Sequence, residues 1–294
     1  MRAPQSEPLR HRFTSQGLEL SYVEWGDPAA PLVIMVHGSR DHARSWDWTA
    51  PALLAQGWRV VAPDLRGHGD SQWSPDSAYV LSYQVMDLAD LIDTLGVARF
   101  VLVGHSFGGT VCARFAAMFP ERVQRLVLIE GFGPAPAVFA RWDEEGSVAR
   151  SRQWLETRRK ALARPPQVYD SVDAACAQLR AGNPDLSDEQ AAHLARHGLS
   201  HEGHGWVWKS DPQMRHFPPE DHYAETEDVW RSIASPTLAI RGSRGFLPDP
   251  FTDGRCDLIP DCRKVTIDDA GHWPHHERFD TFLAELIPFL SAKA

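Results

Sequence analysis

Seven short, strand-like apolar runs constrain the fold of this chain more than any other feature. They are "LELSYVEWG" (18–26), "LVIMVHG" (32–38), "WRVVAPD" (58–64), "FVLVGHS" (100–106), "RLVLIE" (125–130), "TLAIRG" (237–242) and "RKVTID" (263–268). Most are continuous rather than alternating, as expected of strands covered by helices on both faces. Between them, residues 45–57, 82–96, 108–120 and 277–291 carry apolar side chains at helical spacing, and most of these segments close on Gly or Pro. The alternation predicts an α/β fold with a mostly parallel, doubly wound sheet.

The rhythm breaks between Gly133 and about Asp228, where the chain becomes charged, helix-prone and strand-poor. A stretch of that length is too long for a plain loop. It reads as an inserted, mainly helical subdomain (133–228) within a core made of residues 1–132 and 229–294. Ligands of such sheets bind at the carboxyl ends of the strands, so an insertion leaving that edge would roof the site. Phe132, Phe139, Trp142, Trp154, Trp206 and Trp208 lie in or beside it, as candidates either for a pocket lining or for its own small core.

Residues 104–108 read Gly-His-Ser-Phe-Gly, after an apolar strand and before an apolar helix. In that context G-x-S-x-G is a strand-to-helix turn presenting Ser106 as a nucleophile, with glycines where strand and helix pass closely. The turn also sets Ser106 at a helix N-terminus, whose unpaired N–H groups and dipole favour negative charge. A second feature is Glu130, a carboxylate closing the apolar run 125–130, which must reach solvent or find a partner elsewhere.

With these residues the sequence resembles the α/β-hydrolase family over roughly Leu18–Gly131 and Val229–Phe289. The resemblance implies an oxyanion hole made by the N–H groups of Ser39, after the "MVHGS" turn, and Phe107. It places the base at His272 in "DDAGHWPHHERFD", ahead of His275 and His276 on motif position, and gives the glycines of "PDLRGHGDS" (63–71) a structural part. The sequence departs from the family at the acid. The usual G-x-x-D after the penultimate strand reads Gly242-Ser243-Arg244-Gly245. Some relatives carry the acid after the preceding strand, which here is Glu130; Asp249 and Asp253 are the substitutes if the loop 245–254 folds back.

A serine nucleophile directs the chemistry to acyl groups. Relatives that attack saturated carbon, the haloalkane dehalogenases and epoxide hydrolases, use an aspartate, whose ester water can cleave; a serine ether would be inert. The expectation is a carboxylic ester hydrolase acting on a small-molecule ester, needing neither metal nor organic cofactor. Alternatives are a C–C bond hydrolase, a lactonase or amidase, and a hydrolase-like binding protein that turns over little, the last favoured only by Gly245.

Composition narrows the partners. A net charge of −9 argues against a nucleic-acid surface. No apolar run approaches the roughly 20 residues of a membrane helix, and Met1–Arg12 has no apolar centre, so a cytoplasmic protein is expected. Cys112, Cys176, Cys256 and Cys262 read as reduced thiols, with Cys256 and Cys262 alone close enough in sequence to suggest a bridge. The histidines of "HEGHGWVW" and "GHWPHHE" lack the i, i+4 spacing of a helical zinc motif, and those of the first stretch read as surface or loop histidines. Oligomeric state has no signature in the sequence.

Overall fold

The computed structural model describes residues 7–215 and 226–292. The strands are β1 (Leu9–Ser15), β2 (Leu18–Trp25), β3 (Leu32–Val36), β4 (Arg59–Pro63), β5 (Phe100–His105), β6 (Val123–Ile129), β7 (Leu199–Glu202), β8 (Gly205–Trp208), β9 (Thr237–Gly242) and β10 (Cys262–Ile267). Eight of them form one sheet in the order β1-β2-β4-β3-β5-β6-β9-β10. Its pairs are parallel except those made by β2, which runs antiparallel to both β1 and β4.

The continuous apolar runs follow from two cores, one on each face. Leu32, Ile34 and Val36 of β3 pack in one cluster with the helices α2 (Leu81–Leu95) and α3 (Phe107–Met118), while Val33 and Met35 pack in the other with α1 (Thr49–Leu54) and α9 (Phe279–Ser291). Neighbouring residues point to opposite faces, and both faces are dry. β1 is a finding beyond the seven runs. Its sequence LRHRFTS buries only Phe13 and Ser15, which suits a charged edge strand.

Between β6 and β9 the chain forms α4 (Pro136–Glu145), α5 (Ser147–Leu162), α6 (Val172–Gly182) and α7 (Asp188–Gly198), then the β7–β8 hairpin, and returns through α8 (Thr226–Ser232). The hairpin adds a short strand pair to this mainly helical segment: Leu199–Glu202 and Gly205–Trp208 pair around the turn at Gly203, with His201 on a strand and His204 in the turn, both exposed. Residues 216–225 of the insertion, like 1–6 and 293–294 of the core, lie outside the described residues. Helix α7 starts with a capping box at Ser187 and Gln190 and packs over the loops beyond the strand ends. Gln190 Nε2 donates to the His276 carbonyl at 2.9 Å, and His193 contacts the Asp47 carboxylate at 3.0 Å. Tyr169, Ala175, Ala195 and Leu199 form a small separate core there, and Trp206 and Trp208 pack against it. Phe132 is buried in the main core, whereas Phe139 and Trp142 pair edge to face at 5.6 Å. Among the described residues no helix is long and apolar enough to cross a membrane.

Candidate active site

Ser106 sits between β5 and α3 at φ 50°, ψ −121°, a region that L-residues rarely adopt. The turn closes because its flanking residues lack side chains. A Cβ on Gly104 would lie 2.6 Å from the Gly108 carbonyl oxygen, and one on Gly108 only 2.4 Å from that of His37. Strain of this kind costs about 1–3 kcal/mol. Ser106→Gly is therefore expected to melt several degrees above Ser106→Ala, both inactive, in thermal scans; equal melting points would mean the turn is unstrained.

Three side chains distant in sequence converge here. Ser106 Oγ is 2.9 Å from His272 Nε2, and His272 Nδ1 is 3.3 Å from Glu130 Oε2. With its proton on Nδ1, His272 donates to Glu130 and accepts from the serine hydroxyl. Glu130 is only 3% exposed, and its other oxygen, Oε1, accepts from the Gly242 N–H at 2.7 Å. The charge just beyond β6 thus has an imidazole and a backbone amide as partners. Gly245 completes the arrangement: a Cβ there would stand 2.7 Å from Oε1 and 2.9 Å from Oε2 of Glu130. The position that carries the acid in the usual pattern is occupied in space by the Glu130 carboxylate.

The substitutes for the acid are engaged elsewhere. Asp249 pairs with Arg241 at 2.7 Å, and Asp253 pairs with Arg255 at 2.7 Å. Nor do the neighbouring histidines compete for Ser106. His276 Nε2 meets Ser45 Oγ at 2.9 Å, and His275 is 1% exposed with neither ring nitrogen hydrogen-bonded to a described residue.

The loop carrying Ser39 is strapped to the loop after β4 by two buried histidines. His37 Nδ1 donates to the Gly38 carbonyl at 2.7 Å while its Nε2 accepts from Leu65 N–H at 3.0 Å, and His68 Nε2 accepts from Arg40 N–H at 3.0 Å. Burial holds both rings neutral, pushing His37 down to about 4 and His68 well below its usual value, and neutrality is what leaves each an accepting nitrogen. A Cβ on Gly38 would lie 3.0 Å from Ser106 Cβ, so the peptide leading to Ser39 passes directly beside the serine. Phe107 is the first residue of α3. The "PDLRGHGDS" loop thus contributes scaffold.

Sequence reasoning missed several neighbours of His272. His105 donates from Nε2 to the His272 carbonyl at 2.8 Å, kept neutral by burial first and by the adjoining His272 second. Phe246, 76% exposed, places its ring 4.7 Å from the His272 ring. His105 could have been read from its place in the pentapeptide; Phe246 lies in a loop whose path nothing local specifies. Among the described residues one group has metal-ligand spacing, Asp47, His193 and His197, drawn from neither histidine-rich stretch flagged above. Arg44 already holds the Asp47 carboxylate through Nε at 2.9 and 2.8 Å, an arrangement that opposes a cation.

The alpha/beta hydrolase fold model matches residues 31–279. The chain belongs to the alpha/beta hydrolase fold family. It is 28% identical to epoxide hydrolase A of Mycobacterium tuberculosis over 97% of this chain and 98% of that one. To the 3-hydroxybutyrate-oligomer hydrolase of Cupriavidus necator it is 30% identical, over 87% of each chain. Among solved structures it superposes on an M. tuberculosis esterase with a TM-score of 0.76 at 25% identity, covering 97% of this chain and 92% of that one. These family relatives support a hydrolase function for the chain.

Proposed function

We propose that this chain is a serine hydrolase of carboxylic esters, working through an acyl-enzyme on Ser106. The observation that carries the reading is the Ser106 Oγ to His272 Nε2 distance of 2.9 Å, with Glu130 behind the imidazole. His272 takes the proton of Ser106 as Oγ attacks the ester carbonyl, then gives it to the departing alkoxide. Glu130 holds the Nδ1–H tautomer and the imidazolium that follows. The N–H groups of Ser39 and Phe107 receive the oxyanion, a contribution worth about 3–4 kcal/mol per donor in comparable sites. Water activated by His272 then releases the acid.

The epoxide hydrolase relative does not favour epoxide opening here. A serine attacking an epoxide carbon yields an ether, which water does not cleave, whereas an acyl-serine is cleaved readily. Residues 133–228 are read as the lid over a core of 1–132 and 229–294, working in the cytoplasm on a small molecule.

The test is hydrolysis of p-nitrophenyl acetate, butyrate, octanoate and laurate by the protein beside its Ser106→Ala variant. Turnover that disappears in the variant is the expected result, and its chain-length optimum sizes the acyl pocket. Cleavage equal in both proteins, or absent from both, overturns the ester reading.

A further inference from the structure

We propose that Arg255 is the positioning residue for Glu130: its guanidinium ties the chain just beyond Glu130 to the loop that follows β9. The inference rests on the reading of Glu130 as the orienting acid.

Arg255 is 5% exposed. Its Nη1 donates to the carbonyls of Phe132 at 3.1 Å and Gly133 at 2.6 Å, and its Nη2 donates to that of Pro248 at 2.8 Å. Nε is 2.9 Å from both oxygens of Asp253. One planar group therefore spans two loops, a task its fork of donors suits and a lysine ammonium does not.

Glu130 needs such a brace. Its φ of 49° is sparsely populated for a residue with a side chain, and such conformations persist only where the surroundings dictate them. Before it, the hold comes from β9: Glu130 N–H donates to the Ile240 carbonyl at 2.9 Å. After it, Gly131 lies so close to the serine that a Cβ would be 2.6 Å from the Ser106 carbonyl oxygen, and the next two carbonyls end on Arg255. Glu130 and Arg255 also line one small cavity. Asp253 occupies Nε, so the guanidinium charge is compensated within its own loop and does not draw the Glu130 carboxylate away from His272. The loop that would have presented the acid at Gly245 has become the clamp that holds the acid in its new place.

The test pairs Arg255→Lys with Glu130→Gln in a double-mutant cycle on the best ester, and follows the low-field proton resonance of His272 Nδ1–H in each protein. Arg255→Lys is expected to lower kcat at least tenfold with KM within twofold, and to do so by less than twofold in the Glu130→Gln background. The low-field resonance should be present in the parent protein and lost or broadened in Arg255→Lys. Equal losses in both backgrounds, or an unchanged resonance, would make Arg255 a packing residue and overturn the proposal. If Arg255→Lys does not fold, Asp253→Asn should give a smaller change of the same kind in kcat and resonance; no change in either overturns the proposal as well. Should the parent protein cleave no ester, the function reading falls while the resonance still decides for or against Arg255.

Discussion

Glu130→Gln is expected to lower kcat by about four orders of magnitude, the size of loss seen when a triad acid becomes its amide. The geometry predicts why an amide fails. Gly242 N–H donates to Oε1 at 2.7 Å, so the amide oxygen of glutamine is drawn to that side and its NH2 is left facing His272 Nδ1. An NH2 there needs an accepting Nδ1, which moves the imidazole proton to Nε2 and removes the base from Ser106. Asp249→Asn, by contrast, should stay within a few-fold of the parent, because Asp249 serves the Arg241 pair. The relocation itself can be reversed: Gly245→Asp alone should be inactive, since its Cβ would fall 2.7 Å from Glu130 Oε1, whereas Glu130→Gly with Gly245→Asp should recover part of the lost rate. Steady-state kcat and KM on one ester decide these comparisons. A Glu130→Gln protein within tenfold of the parent would move the acid elsewhere.

How much of this could be read in advance depended on how far each contact spans the chain. Ser106 and its glycines were legible because the steric demand is local: strand, turn and helix follow one another without a break from Phe100 to Met118. Glu130 was legible through an energetic anomaly, a carboxylate ending an apolar strand. Its partner His272 lies 142 residues away and was reached through motif position, not through physics. The strap of His37 and His68 was hidden because each histidine, 28 residues from its partner amide, looks in sequence like any loop histidine. Arg255 was hidden more completely. Its neighbours Phe132 and Gly133 are more than 120 residues earlier, and an arginine beside an aspartate in a polar loop ordinarily reads as surface. β1 escaped because an edge strand needs few apolar residues, and the β7–β8 hairpin because Gly and His around Gly203 resemble an irregular loop.

The same buried histidines predict acid lability. A cooperative loss of near-ultraviolet circular dichroism is expected as pH falls from about 6 to 4. His37 and His42 are pushed down to about 4 and His276 to about 3, with His68, His105 and His275 held well below the usual value, in each case by burial before any other cause. The folded form binds these protons less well than the unfolded chain does. Their contribution to stability is therefore complete above the unfolded value near 6.5 and is lost as pH drops below it. For a histidine still neutral in the fold at pH 5, the loss is about 2 kcal/mol. Asp41, raised to about 7 by burial, and Asp64, raised for the same cause, work the other way and regain some stability over this range. The lowered histidines, with half-buried His197 also pushed down to about 3 by burial, outnumber the two raised aspartates, which leaves a net loss. His275 offers the internal check, since neither ring nitrogen meets a described partner. His275→Phe removes one proton-binding site of the unfolded chain without removing a hydrogen bond, so its acid midpoint should shift to lower pH and its transition become less steep. An unshifted midpoint, or native dichroism retained at pH 4, would mean that these rings are protonated within the fold.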